Sequence, residues 1–115
     1  MARISYLELP VCDVAGAKAF YSAAFDWAFT DFGPDYASTM SGDSDLGLNG
    51  DTTQSTAQLL PVIDVVDLEA TLARVTAAGG TVTHPIFAFP GGRRFHFRDP
   101  AGHELAAMQT DAPAS

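Results

Sequence analysis

Glu8 is the residue of this chain whose type and position point most directly to chemistry. It follows Tyr6 in the segment Ile4–Val11, where residues alternate as in a strand that is buried on one face. The pleat places Tyr6 and Glu8 on the face opposite Leu7 and Leu9. A carboxylate there must be paired, protonated or in contact with a ligand, because a buried unpaired charge is costly. Glu8 is therefore a candidate acceptor for a ligand donor, or a general base; the alternatives are a wet cavity edge and an ion pair with an arginine.

A second polar group lies near the end of the chain, where Arg94 and Arg98 occupy alternate positions of a predicted strand. His96 lies between them and shares their strand face. The pattern is typical either of a solvated outer face or of a clamp for an anion or a carboxylate, and the sequence leaves both open. His84, His96 and His103 lack a recognised metal spacing. We expect His84 in a loop, and His96 and His103 at the surface.

The rest of the composition excludes several function classes. Fourteen acidic residues against six basic ones give a net charge of −8, which argues against nucleic acid and against a polybasic membrane contact. Cys12 is the single cysteine, so no internal disulfide is possible, and its apolar neighbours predict a small buried side chain. We find no signal sequence, no apolar run of about 20 residues and no nucleophile–base pair. We therefore expect a cytoplasmic protein.

Hydrophobic periodicity predicts a strand–helix–strand–strand–strand unit that occurs twice. In the first unit the strand Ile4–Val11 leads to the helix Val14–Phe25, which Asp13 caps. Three strands should follow, over Trp27–Phe32, Tyr36–Met40 and Leu46–Leu48. Phe20, Phe25 and Trp27 are expected to anchor this helix in the core.

The same order restarts after a polar linker at Gly50–Thr56. The strand Gln58–Val66 leads to the helix Leu68–Ala78, which Asp67 caps and Gly79 ends. Further strands are predicted over Thr81–Thr83, Ile86–Phe89, Arg93–Phe97 and Glu104–Met108, with His84-Pro85 as an interruption. The 54-residue spacing between Asp13 and Asp67 indicates an internal repeat. We expect one α+β domain over 1–115, with modules at about 1–50 and 57–110.

Three parts of the chain resemble the vicinal-oxygen-chelate superfamily of glyoxalases, bleomycin-resistance proteins and extradiol dioxygenases. Residues 4–27 resemble its opening strand, acidic helix cap, Phe-Tyr and Phe-Gly-Trp motifs, with Asp26 in the glycine place. Residues 62–80 resemble its second strand–helix unit. Residues 95–105 resemble its closing Asp-Pro-x-Gly-Asn motif, with His103 in the Asn place. The resemblance implies two βαβββ modules that form a cup-shaped curved sheet, with helices on its outer face.

The resemblance also implies where a metal would bind. Metal-dependent members hold a divalent ion with His and Glu side chains from strand positions that face the cup, and here those positions carry Tyr6, Leu60 and Ala106. Leucine and alanine have no donor atom, and tyrosine is a poor ligand for such ions. Glu8 and Glu104 lie two residues from such positions and could supply an oxygen if the register slipped. We expect no metal or other cofactor.

Three functional hypotheses follow from the resemblance. The first is a metal-free protein that binds a small molecule in the cup, as a lyase or isomerase if Glu8 acts as acid or base. The second is a binding protein that sequesters a cationic drug, which the negative charge and several aromatic residues fit. The third is a metal-dependent glyoxalase or dioxygenase with displaced ligands. We expect a homodimer, since a cup left open would expose apolar surface. The candidate ligand-binding residues are Tyr6, Glu8, Arg94, Ala106 and Met108.

Overall fold

The computed structural model describes residues 2–51, 53 and 56–111, and it divides into two compact units. The first unit, Ser5–Leu60, contains one helix and a mixed four-stranded sheet in the order β2-β3-β4-β1. Strand β1 is parallel to β4, whereas β2, β3 and β4 are antiparallel neighbours. The elements are β1 (Arg3–Pro10), α1 (Val14–Phe25), β2 (Thr30–Asp31), β3 (Tyr36–Ser38) and β4 (Asp45–Asn49).

The second unit, made of the described residues of 61–115 and 1–4, repeats this topology. Its strands have the order β6-β7-β8-β5, with β5 parallel to β8 and the other neighbours antiparallel. The predicted α+β class with two βαβββ modules is therefore confirmed. The elements are β5 (Leu60–Asp64), α2 (Leu68–Ala77), β6 (Thr81–Phe89), β7 (Gly92–Arg98) and β8 (Glu104–Thr110).

The two helices begin in the same way. The Asp13 side chain accepts a hydrogen bond from the Gly16 backbone N–H, and the Asp67 side chain accepts one from that of Ala70. Both aspartates have extended backbone angles, as a helix N-cap requires. The predicted pairing of Asp13 with Asp67 at corresponding helix starts is confirmed.

Helix α1 packs on its sheet through fewer aromatic residues than expected. Val14, Ala17 and Tyr21 pack with Leu48 and other apolar residues of the sheet. Phe20, Phe25 and Trp27 were predicted to lie in the core, and this prediction is wrong: they are 61%, 56% and 42% exposed. Phe25 and Trp27 instead stack on each other and on Tyr21, and Phe20 packs edge-on against Tyr21, because the core stripe needs only one side of the helix.

Asp26 explains how α1 ends. Its backbone is left-handed, with φ 60° and ψ 32°, and its N–H donates to the Ser22 carbonyl. Glycine takes this conformation most readily and aspartate is among the few other residues that tolerate it, so the family's glycine can be replaced here. After Asp26 the chain makes only a two-residue strand, Thr30–Asp31, where a longer strand over Trp27–Phe32 was predicted.

The second unit has a core of its own. Leu68, Leu72 and Val75 of α2 pack against Phe95 and Phe97 of β7. The expected interruption of a strand at His84-Pro85 is wrong, since β6 runs through both residues with register shifts. Strand β6 lies at the edge of its unit's sheet. Proline has no N–H, and an edge strand tolerates this because one of its sides pairs with no strand of the unit. In the part of the chain that the structure describes, neither helix has the length and apolarity of a bilayer-spanning helix.

Candidate active site

The first unit gathers three polar side chains on the sheet face that α1 does not cover. The Tyr36 hydroxyl donates a hydrogen bond to Oε1 of Glu8 at 2.9 Å. The hydroxyl oxygens of Tyr36 and Tyr6 lie 2.5 Å apart. Since the Tyr36 proton is directed at Glu8, its oxygen accepts the proton of Tyr6. The three groups therefore form one hydrogen-bonded chain, from Tyr6 through Tyr36 to Glu8.

Strand register explains why this chain of groups forms here. Glu8 of β1 and Ser38 of β3 flank Gly47 of β4 on its two sides. A Cβ atom at Gly47 would overlap the hydroxyl oxygens of Tyr6 and Tyr36. The missing side chain of Gly47 thus leaves the space in which the two hydroxyls meet.

Burial and charge determine the protonation of Tyr36. Glu8 is only 3% exposed, and Tyr36 is half-buried beside it. Burial, and then the negative charge of Glu8, raise the pKa of the Tyr36 hydroxyl far above its ordinary value. Tyr36 therefore keeps its proton at any working pH and remains a hydrogen-bond donor to Glu8.

Arg94, Ala106 and Met108 lie together in the second unit, on the sheet face opposite α2. Arg94 is the cross-strand partner of Met108, and its guanidinium carbon lies 5.3 Å and 5.6 Å from the ring centres of Phe87 and Phe89. Arg94 is half-buried and engaged with aromatic faces, so a fully solvated outer strand face does not describe it. Arg98, two residues on, is exposed.

His96 was expected at the surface, and this is wrong: it is 2% exposed. Its ring lies 5.0 Å from that of His84, and its Nδ1 lies 3.4 Å from Oε2 of Glu104. The hydrogen bond that this oxygen accepts comes from Thr83. Burial, and then the positive charge of Arg94, lower the pKa of His96 to about 4, against the opposing effect of Glu104. His96 is neutral at pH 7. The alternation of β7 places it with Arg94, on the face that α2 leaves uncovered.

The donor set does not fit a divalent metal. Leu60 and Ala106 are fully buried and bring no donor atom, and the Tyr6 hydroxyl is bonded to Tyr36. Across residues 2–51, 53 and 56–111, no three His, Cys, Asp or Glu side chains are grouped closely enough to hold an ion. Glu8 and Glu104, the two possible substitutes, lie in separate hydrogen-bonded groups.

The other residues singled out in the sequence, His103, Cys12 and His84, lie outside the group formed by Tyr6, Tyr36 and Glu8. His103 is exposed, as predicted, and its Nδ1 lies 3.2 Å from Asp99 in the turn before β8. Cys12 is exposed rather than buried, because the chain leaves β1 at Pro10 and reaches the surface before α1. His84 is part of β6 and not of a loop.

Sequence reasoning missed the roles of Tyr36 and Gly47. Tyr36 was named only as the first residue of a predicted strand, since it lies 28 positions from Glu8. The signal that could have identified both is the repeat itself: if β4 is placed between β1 and β3, a glycine in β4 opens a space between the side chains of its neighbours.

Comparisons with known proteins agree with this fold. The family model of the "Glyoxalase/Bleomycin resistance protein/Dioxygenase superfamily" matches residues 3–107. No protein of curated function matches the sequence. A superfamily member from Vibrio splendidus 12B01 has 17% identity and a TM-score of 0.70, covering 96% of this chain and 100% of that one.

Two further solved structures are similar. A hypothetical protein from Bacillus halodurans C-125 has 12% identity and a TM-score of 0.79, over 99% of this chain and 98% of that one. Methylmalonyl-CoA epimerase from Mycobacterium tuberculosis has 14% identity and a TM-score of 0.72, over 94% of this chain and 87% of that one. At these identities the likeness shows the fold alone.

Proposed function

Because the chain belongs to the glyoxalase/bleomycin resistance protein/dioxygenase superfamily, we propose that it binds a small molecule without a metal ion, at the helix-free sheet face of its first unit. Tyr6 is the residue that contacts the ligand, and Glu8 acts on Tyr6 through Tyr36. The observation that carries this proposal is the hydrogen-bonded chain from Tyr6 through Tyr36 to the buried carboxylate of Glu8.

The direction of these hydrogen bonds defines which ligand group the site recognises. Tyr36 directs its proton to Glu8, and Tyr6 directs its proton to Tyr36, so the Tyr6 oxygen presents lone pairs to a ligand. Hydrogen bonds in series polarise one another, which strengthens the terminal acceptor. The ligand group that fits is an O–H, N–H or activated C–H donor.

The same series of hydrogen bonds, from Tyr6 through Tyr36 to Glu8, supports acid–base chemistry of the lyase or isomerase class. A substrate C–H proton passes to the Tyr6 oxygen, the Tyr6 proton passes to Tyr36, and the Tyr36 proton passes to the Glu8 carboxylate. The electron pair of the broken C–H bond stays on the substrate, and return of the proton reverses each step. Tyr6 is then the group that contacts the substrate, and Glu8 is the final proton acceptor.

Proton exchange in D2O tests the catalytic form of the proposal. Methylmalonyl-CoA is the first substrate to try, because one structural neighbour is an epimerase of that compound. Mass spectrometry should detect deuterium uptake with the wild-type protein and none with Glu8→Gln or Tyr6→Phe. If exchange is absent with this substrate and with a panel of other carbonyl acids, but ligands still raise the melting temperature, the protein is a binder and not an enzyme.

Elemental analysis tests the metal-free form. We expect no stoichiometric divalent ion after dialysis, and an almost unchanged melting temperature with added nickel, zinc, iron or manganese. A tightly held ion would raise the melting temperature, since it stabilises only the folded state. One equivalent of metal that survives dialysis would contradict the proposal.

A further inference from the structure

A buried histidine of the second unit has hydrogen-bonding groups that its described neighbours leave unused. His96 is 2% exposed, and neither of its ring nitrogens has a hydrogen-bond partner among the residues that the structure describes. Nδ1 lies 3.4 Å from Oε2 of Glu104, but the hydrogen bond that this oxygen accepts comes from Thr83. Buried polar atoms are rarely left unpaired in folded proteins. The neighbours of His96 indicate which ligand group would pair with it.

Charged and titratable groups face His96 from three strands. Arg94 and Arg98 of β7 share its face of the sheet, and Glu104 of β8 lies beside its Nδ1. His84 of β6 is its cross-strand partner, with ring centres 5.0 Å apart. After burial, the positive charge of Arg94 has the largest effect in lowering the pKa of His96. The ligand group that this positive charge attracts is an anion.

The Arg94 side chain is held in place by its neighbours. Its guanidinium carbon lies 5.3 Å and 5.6 Å from the ring centres of Phe87 and Phe89, and the residue is half-buried. Its cross-strand partner in β8 is Met108, which adds an apolar surface beside the charge. A guanidinium has five N–H groups, so it can bind a carboxylate and keep its other contacts.

His84 controls access to the His96 ring. It is exposed on the edge strand β6, and the pairing of β6 with β7 changes register on both sides of it. Such irregularities occur at sheet edges and beside functional sites, where they re-aim a side chain. The His84 ring packs edge-on against His96. Because it is exposed, it can turn outward and uncover His96 for a ligand.

We propose that Arg94 and His96 together bind a small carboxylate that carries an apolar group, and that His96 takes up a proton from solution as the carboxylate binds. One carboxylate oxygen pairs with the Arg94 guanidinium. The proton adds to Nε2 of His96, which donates it in a hydrogen bond to the other oxygen. Nδ1 keeps its own proton because it faces the Glu104 carboxylate. This site lies in the second unit and is independent of the one under Proposed function.

Calorimetry with benzoate, and with benzamide as its uncharged analogue, tests the proposal. The free protein holds His96 neutral down to about pH 4, whereas the complex protonates it near its ordinary value of 6.5. Benzoate should therefore bind about five- to ten-fold more tightly at pH 5.5 than at pH 7. Nitrogen NMR at pH 5.5 should show Nε2 of His96 protonated in the complex and not before. Equal affinity for benzamide, pH-independent binding of benzoate, or no binding would overturn the proposal.

Matched variants locate the site. Arg94→Gln should weaken benzoate binding about ten-fold or more, since a charge-assisted hydrogen bond is lost. Arg93→Gln, on the opposite face of the same strand and paired with Glu69, should leave it unchanged. His96→Gln should abolish the pH dependence, whereas His103→Gln, at an exposed site, should retain it. Equal weakening by the two arginine variants, or a pH dependence that persists in His96→Gln, would show that benzoate binds elsewhere.

Discussion

Tyr36 of β3 donates its hydroxyl proton to Glu8 of β1 across the intervening strand β4, over 2.9 Å. Alternate strands of a sheet lie about 9.6 Å apart, so side chains of β1 and β3 meet only where the middle strand leaves room. Gly47 is the β4 residue that pairs with Glu8 on one side and with Ser38 on the other, and its missing Cβ leaves room for the Tyr36 hydroxyl. The site is thus formed by three strands, and it depends on the lack of a side chain at Gly47.

Replacing Tyr36 by phenylalanine should destabilise the protein. The change removes a hydroxyl that donates to a buried carboxylate and accepts from Tyr6, and the expected loss is about 1–3 kcal/mol in the free energy of unfolding. Urea unfolding at pH 7 measures it. The control is Tyr21→Phe, whose hydroxyl makes no hydrogen bond with the described residues, so it should change stability by less than about 0.5 kcal/mol. Equal losses in the two variants would contradict the hydrogen-bonded chain.

Gly47→Ala tests the space in which the hydroxyls meet. The added methyl group would overlap the hydroxyls of Tyr6 and Tyr36, so it should cost about 1–3 kcal/mol in urea unfolding. In a background that carries both Tyr6→Leu and Tyr36→Phe, which removes both hydroxyls and the Tyr6 ring carbon that the methyl group would also meet, the same alanine should cost much less. A double-mutant cycle with no coupling would show that Gly47 is needed for another reason.

Much of this fold follows from local sequence signals. The helix Val14–Phe25 has the predicted bounds, because Asp13 caps its start and the stripe of apolar residues is local information. The orientation of Glu8 follows from strand alternation. The contact with Tyr36 does not, since it requires the order of strands in the sheet, which no local pattern encodes.

The burial of aromatic residues was harder to predict. Trp27 and Phe25 resemble core anchors in the sequence, but the sheet face under α1 is filled by Tyr21 and smaller residues. His96 presents the opposite case, because a histidine between two arginines looks solvated and is buried. Hydrophobicity gives a residue's preference for the core, whereas the packing of neighbours determines whether the core has room for it.

His96 should make the protein sensitive to mild acid. Its pKa is about 4 in the folded protein, below its ordinary value of 6.5, so between these values the unfolded chain binds a proton that the folded chain does not. Stability is therefore full above about pH 6.5 and falls as the pH falls, by about 2 kcal/mol at pH 5. His96→Gln should remove this part of the pH dependence, whereas His103→Gln, at an exposed site, should retain it. Urea unfolding at pH 7 and pH 5 distinguishes them.

A homodimer is the expected assembly. Each unit leaves one sheet face without a helix, and Phe20, Phe25, Trp27 and Met40 add exposed apolar surface. Light scattering at micromolar concentration should give about twice the 12.1 kDa of one chain. A mass of one chain over the whole concentration range would rule out this assembly.

The affinity of Glu8→Gln for its ligand tests the central claim most directly. Ligands are first identified as compounds that raise the melting temperature of the wild-type protein, and their affinities are then compared in both forms by calorimetry. Glutamine keeps the shape of the side chain and an acceptor oxygen for Tyr36, so we predict a nearly unchanged melting temperature. It removes the negative charge that polarises Tyr36 and Tyr6, so we predict binding weaker by about 1–3 kcal/mol. Unchanged binding together with a clear loss of stability would contradict the account and make Glu8 a structural residue.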